Sequence, residues 1–185
     1  MSAEEKDPVW DKLAGWIGKP LTKGGPTLSP EDVNLPMIRH WIDAMDDRNP
    51  IYEDPEAAAR IGLDSVVAPP AMLQAWTMPR PILEGIAERG GVPTEIDPDN
   101  PINILDEAGF AATLATNSEL EFERYLKPGE RLTSESVLES VSKRKQTGIG
   151  TGYFVSWVNT FRDQDGEVVG RQLFRILKFN PGGTL

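Results

Sequence analysis

The chain has 185 residues, 39% of them hydrophobic and 26% charged, with a formal net charge of −10. That is the size and composition of one ordinary globular domain with a core of its own. The acidic surplus argues against a nucleic-acid partner, whose phosphates need clustered Lys and Arg. The absence of cysteine excludes disulfides and thiolate metal sites, and a lone histidine, His40, excludes a multi-histidine metal centre. No run approaches the roughly 18 apolar residues of a membrane span, and no basic-then-apolar signal segment opens the chain, so a cytoplasmic location is expected.

Residues 1–9 are polar and read as a frayed end. Trp10, Leu13, Ala14 and Ile17 fall on one helical face and predict a short helix that docks on the body. Gly18, Pro20, Gly24, Gly25 and Pro26 then punctuate an irregular run, so that residues 1–25 form an N-terminal docking segment. Ser29-Pro30-Glu31-Asp32 leads into a second helix, with Pro36 in its first turn and Ile38, Trp41, Ile42 and Met45 on one face. Asp46-Asp47-Arg48-Asn49-Pro50 breaks that helix, because the residue before a proline avoids the α region. An Ala-rich run from Glu56 to Arg60 follows. Pro69-Pro70 opens a third apolar stretch, residues 71–86, in which Met72, Leu73, Trp76, Ile82, Leu83 and Ile86 line a buried helical face that Pro79 and Pro81 must kink. Gly90-Gly91 ends it, and residues 92–103 read as a surface loop.

The last third changes period from helical to two. Leu120 and Phe122 alternate with Glu119, Glu121 and Glu123, which predicts a half-buried strand over residues 118–126. Further strands are expected at residues 132–141, 149–162 and 167–179, the last two joined by an Asp165-Gly166 hairpin signal. Tyr153, Val155, Trp157 and Phe161 share one face of the third strand while Phe154 and Val158 take the other, as in a central strand covered on both sides. The reading is α+β: a meander of four long antiparallel strands, centred on residues 132–180, forming a curved sheet wrapped around one central helix, residues 71–86. Residues 1–185 make a single domain. The strand faces carrying Trp157 and Phe161 are expected to be covered partly by a second module.

One stretch is not generic. Asp46-Asp47-Arg48-Asn49-Pro50-Ile51-Tyr52, followed by Gly62-Leu63 and Val67-Ala68-Pro69-Pro70-Ala71-Met72-Leu73, resembles the signature of MaoC-like (R)-specific enoyl-CoA hydratases. In that family the turn reads Gly-Asp-x-Asn-Pro-aliphatic-His. The resemblance implies a hot-dog fold from about residue 20 onward, and a chemistry in which Asp and His orient a water for addition to a conjugated thioester. Here Asp47, Asn49 and Pro50 are present, but Asp46 stands in the Gly position and Tyr52 in the His position. A phenol with a reference pKa near 10 is a poor base at neutral pH. His40 lies two helical turns before Asp47 and off the turn, so no catalytic residue is expected in this chain, and Asp47 is expected to serve its turn as a hydrogen-bond acceptor.

The wording around the turn is most similar to the MaoC-like portion of the larger subunit of actinobacterial heteromeric steroid enoyl-CoA hydratases, which act in cholesterol side-chain degradation. The resemblance implies a degenerate subunit that completes the pocket for a bulky, steroid-like 2-enoyl-CoA, while a hot-dog partner in a heterodimer or heterotetramer supplies the Asp and His. It implies no cofactor beyond the coenzyme A thioester that is the substrate. Subunits of that kind commonly carry a further C-terminal domain of the zinc-ribbon and OB-fold type, and the present sequence ends at Leu185, as an isolated module or a piece of a longer chain. Two alternatives remain: the substrate-holding subunit of an acyl-carrier-protein 3-hydroxyacyl dehydratase, and an acyl-CoA-binding module without turnover. For the coenzyme itself the candidates are Lys143, Arg144 and Lys145, the only three-residue basic run, with Gly148 in the turn that follows. The same run equally suits a solvated hairpin end.

Overall fold

The computed structural model describes residues 6–78, 83–84 and 100–182. Its frame is an antiparallel sheet built from the β-branched and aromatic runs of the C-terminal half. Strand β1 (Thr27–Leu28) is a two-residue edge, followed by β2 (Ala112–Phe122), β3 (Thr133–Val141), β4 (Lys145–Thr147), β5 (Gly150–Arg162) and β6 (Val168–Asn180). Their order in space is β1-β3-β5-β6-β2, with β4 paired to β5. The β5–β6 hairpin closes at Gly166, whose φ of 85° is the left-handed value that the Asp-Gly signal predicts.

The strands at 132–141, 149–162 and 167–179 are therefore found within a residue or two, but the arrangement is not a simple meander. The first long strand, β2, pairs with the last, β6 (Leu120 opposite Gln172), and not with its neighbour in sequence. Residues 123–126, expected to continue the strand begun at 118, leave it after Phe122, and the chain as far as residue 132 crosses one end of the sheet instead. There Leu126 bridges Ala68, and the turn at Lys127–Glu130 bonds back to Val33. β2 also starts earlier than the expected residue 118, and its outward positions are largely exposed, as suits an edge. Phe122, expected on the half-buried face with Leu120, is exposed.

Each helix carries its own start signal. Asp7 caps α1 (Pro8–Ala14) by accepting from the Trp10 amide at 3.0 Å, and Pro8 takes the first turn. Asn34 caps α2 (Leu35–Met45) through the Met37 amide, and Asp54 caps α3 (Pro55–Arg60) through the Glu56 amide. A short α4 (Asn103–Glu107) begins where a loop was expected, with Asn100 bonding the Ile102 amide in the turn before it.

Over the described residues the element lying in the sheet's concavity is not a long α-helix but an eight-residue 3₁₀ segment, Pro70–Thr77. Met78 after it is extended (φ −64°, ψ 126°), as the residue before Pro79 is obliged to be. Leu83, expected on the buried face, is 64% exposed; the expected positions of Ile82, Ile86, Gly90-Gly91 and residues 92–99 lie outside the described residues.

Two apolar cores fill the concave face, one at each end of the long strands. The first joins Ile38, Ile42, Ile51, Tyr52, Met72, Leu73 and Trp76 to Phe161 and Val169. The second joins Leu13 of α1 and Leu105 of α4 to Leu138, Tyr153, Val155 and Ile176. Phe161 is 1% exposed inside the chain's own core, so it is not surface awaiting a second module. Trp157 turns to the same concave side, edge-on to Phe174.

Candidate functional site

The turn after α2 is built from its own side chains. Asp46 ends the helix in a left-handed conformation (φ 50°, ψ 36°), the backbone for which a glycine is the usual residue. The next amide, of Asp47, bonds back to the Ile42 carbonyl at 2.9 Å. Asp47 Oδ1 accepts from the Asn49 amide at 3.0 Å, and Asn49 Oδ1 accepts from the Ile51 amide at 3.3 Å. These bonds start the 3₁₀ turn Pro50–Tyr52, with Pro50 in its first position. Asp47 and Asn49 thus hold the loop, as the sequence predicts for a hydrogen-bond acceptor in this turn.

Tyr52 is carried by that turn into the first core and is 6% exposed. Burial pushes its phenol above the ordinary value, and the nearby charge of Asp47 pushes it further; a hydrogen bond with the Asn49 side chain offsets only part of this. A phenol raised from an already alkaline value does not accept a proton at neutral pH. His40 is exposed on α2 and is not brought to the turn. The turn thus commits Asp47 to a backbone amide and Tyr52 to the core.

The basic run lies elsewhere. Lys143, Arg144, Lys145 and Gly148 are all exposed around β4, near the start of β5, whereas Phe161, which packs in the core holding Tyr52, lies near its end. At about 3.3 Å per residue the two ends are roughly 30 Å apart. The ammonium of Lys143 sits 3.2 Å from the Trp10 ring centroid, while Lys145 at 5.8 Å and Arg175 at 4.4 Å flank the ring of Phe154. Gly148 has an ordinary φ and open space beside it, so nothing in the turn requires a glycine there. Gly150 and Gly152 are the constrained ones: a Cβ would fall 2.2 Å from the Asn180 carbonyl oxygen at the first and 2.1 Å from the Lys178 carbonyl oxygen at the second. A hollow of about 270 Å³ lies beside the turn, lined by Gln146, Thr147 and Ile149 with Pro181.

Sequence reasoning missed two polar features of the sheet. Lys178 is buried at 6% exposure, with its ammonium on Asp106 of α4, the Thr113 hydroxyl at 3.0 Å and the Ala111 carbonyl at 3.2 Å. Asn159 and Gln172 stand opposite each other on β5 and β6 and face the concave side, where the period-two pattern calls for apolar residues. That interruption of Tyr153-Val155-Trp157-Asn159-Phe161 is the signal that could have found them. Among the described residues no cluster of His, Cys, Asp and Glu could hold a metal, and no helix is long and apolar enough to cross a membrane.

Sheet order, capped turn and the Asn-Pro loop define a hot-dog module of the hydratase and dehydratase class. The chain belongs to the family described as FAS1-like, dehydratase domain region, which matches residues 26–172, and it is a MaoC-like domain. It is 41% identical, over its full length, to a Thermomonospora curvata protein described as "Probable enoyl-CoA hydratase alpha subunit". It is 42% identical over 86% of its length to the 3-oxo-4,17-pregnadiene-20-carboxyl-CoA hydratase alpha subunit of Mycobacterium tuberculosis. It covers 55% and 49% of those two proteins, about half their length. A chain in the crystal structure of the ChsH1-ChsH2 complex from Mycobacterium tuberculosis superposes with a TM-score of 0.76 at 39% identity, covering 96% of this chain and 94% of that one. The (R)-hydratase of A. caviae, at 12% identity and a TM-score of 0.51, shares the fold.

Proposed function

We propose that this chain is the non-catalytic subunit of a heteromeric enoyl-CoA hydratase that adds water to a bulky, steroid-like 2-enoyl-CoA. The observation that carries the reading is the turn itself: Asp47 and Asn49 are spent on backbone amides, and the base position holds Tyr52, buried with its phenol pushed up. Its likeness to hydratase alpha subunits, one of them acting on a pregnadiene carboxyl-CoA, and to a chain of a two-component complex supports the division of labour and the substrate class. In this division the partner's Asp and His hold the water and move the protons, while this chain shapes the acyl pocket and excludes bulk solvent. The exposed cations Lys143, Arg144 and Lys145, with the turn at Gly148, are its candidates for the coenzyme's phosphates.

Co-expression with a hot-dog subunit carrying an intact Asp-x-Asn-Pro-x-His tests this. The complex is expected to consume the enone absorbance of the steroid 2-enoyl-CoA, and the isolated chain to leave it unchanged. Hydration by the isolated chain at a rate comparable to the complex would overturn the reading.

A further inference from the structure

The chain is strongly acidic, yet toward one end of the sheet it holds cations that no carboxylate neutralises. Arg124, Lys127, Arg131, Arg171 and Lys178 each rest on an Asp or Glu. Lys143, Lys145 and Arg175 rest on aromatic rings instead. Among the described residues none of these three has a carboxylate within ion-pair distance or a hydrogen bond from its side chain.

Strand pairing brings two of them together. Lys145 stands opposite Gly152 and Arg175 opposite Ser156, so both share the outer face of the sheet with Phe154, which lies between those positions on β5. The ammonium of Lys145 and the guanidinium of Arg175 lie 5.8 Å and 4.4 Å from the Phe154 ring centroid. That keeps the two charges within a Debye length of each other, about 10 Å at 0.1 M salt. Lys143, two residues before Lys145, has a seat of its own. The Trp10 ring beneath its ammonium is fixed by the bond from the indole Nε1–H to the Val141 carbonyl at 2.9 Å.

A ring holds a cation differently from a carboxylate. Its quadrupole attracts the charge and narrows the rotamers of a long side chain, but it brings no opposite charge to cancel the first. The cation keeps its field and is already ordered, so less entropy is lost when an anion arrives. Arg175 adds geometry. Half-buried and stacked on Phe154, it keeps a planar fork of N–H donors for two oxygens of one phosphate, which an ammonium cannot match. Like charges held this close repel one another, and a bound polyanion removes that repulsion.

We infer that Arg175 is a phosphate-binding residue on the outer face of β6, and that Phe154 and Trp10 are positioning residues that hold Lys145 and Lys143 near it without neutralising them. The ligand class is a small organic molecule with closely spaced phosphates, as at the nucleotide end of coenzyme A. The inference rests on the acyl-CoA reading above for the source of those phosphates. It extends the basic run to a residue on another strand and to two rings that carry no charge.

The probe is adenosine 3′,5′-bisphosphate, which has phosphates and no acyl group, titrated calorimetrically into the full chain with adenosine as control. The chain is expected to bind the bisphosphate and not adenosine, with an affinity that falls as salt rises. Arg175→Gln should weaken binding about fivefold, and Arg175→Lys, which keeps the charge but not the fork, about twofold. The role of Phe154 is read from a double-mutant cycle: in Phe154→Leu the further change Arg175→Gln should cost less than about twofold, and Phe154→Tyr should restore the full loss. The role of Trp10 needs no change to that ring: its indole N–H resonance should move on titration of the wild type and stay in place in Lys143→Ala. An affinity unchanged by Arg175→Gln at low salt, or no binding of the bisphosphate, overturns the inference. An Arg175→Gln loss that is the same with and without the Phe154 ring, or a Trp10 resonance that ignores the ligand, overturns the positioning role of that ring. Enone consumption by the complex with its catalytic partner would uphold the acyl-CoA reading in any of these cases, and its absence would strike that reading by itself.

Discussion

Asp46 shows how a single backbone angle carries the family's turn at a cost. Its φ of 50° is a conformation that costs an ordinary L-residue about 1 kcal/mol and glycine almost nothing. Its ion pair with Arg48 recovers little, because both side chains are about four-fifths exposed, at 78% and 82%. Asp46→Gly is therefore expected to stabilise the isolated chain by about 0.5–1 kcal/mol, read as a rise in midpoint in thermal unfolding. Asp7 is the opposite case. One carboxylate oxygen caps α1 through the Trp10 amide and accepts the Tyr153 hydroxyl at 2.9 Å. Asp7→Ala removes the cap and leaves a buried phenol unpaired, and should cost about 2–3 kcal/mol in denaturant unfolding, whereas Asp7→Asn should keep most of that stability.

At the scale of elements, what was legible in the sequence was what is local. The Asp165-Gly166 hairpin and the alternation around Tyr153 and Val155 place β5 and β6 almost to the residue, since pairing register follows from turn type and a buried face. The Asn49-Pro50 turn, and the role of Asp47 within it, followed from residue types at adjacent positions. What was not legible depends on distant partners. β2 pairs with β6 because the far edge of β6 is open to it, and no signal within residues 112–122 says so. The 3₁₀ form of Pro70–Thr77 is a tertiary choice, made where Leu73 packs on Gly170 and Gln74 reaches Gln172. The basic run around β4 was legible as charge but not as place, for its roughly 30 Å separation from the turn emerges only from strand pairing. If it serves the coenzyme's phosphates, Lys143→Ala with Lys145→Ala should weaken coenzyme A thioester binding to the complex about three- to tenfold at low salt. The deficit should shrink as ionic strength rises, and an affinity unchanged at every salt concentration would remove these lysines from the site.

For the molecule as a whole, charge sets the pH range of stability. Burial raises the phenols of both Tyr52 and Tyr153, in the second case with Asp7 adding to it. Their folded values lie above the unfolded one, so the unfolded state loses the proton first and stability falls as pH climbs past about 10. Below that these two groups contribute a constant amount. At the acid end, burial pushes the Asp163 carboxyl up, but Arg124 and the amides of Glu167 and Asp165 outweigh it and hold the carboxyl below its ordinary value. That contribution is present above about pH 4 and is lost as pH falls through the depressed folded value. A denaturation midpoint followed from pH 3 to 11 should therefore show a plateau with a shoulder at each end, and Asp163→Asn should remove the acid shoulder.

Strand β2 has a consequence for the chain handled by itself. It lies last in the order of the described strands, and such an edge offers backbone donors and acceptors to any extended chain that comes alongside. Glu119, Glu121 and Glu123 alternate along or just beyond it, so that two copies approaching edge to edge meet like charge. The isolated chain should stay clear in neutral buffer and turn turbid as pH nears its isoelectric point of about 4.6, and replacing the three glutamates by glutamine should shift that clouding toward neutrality.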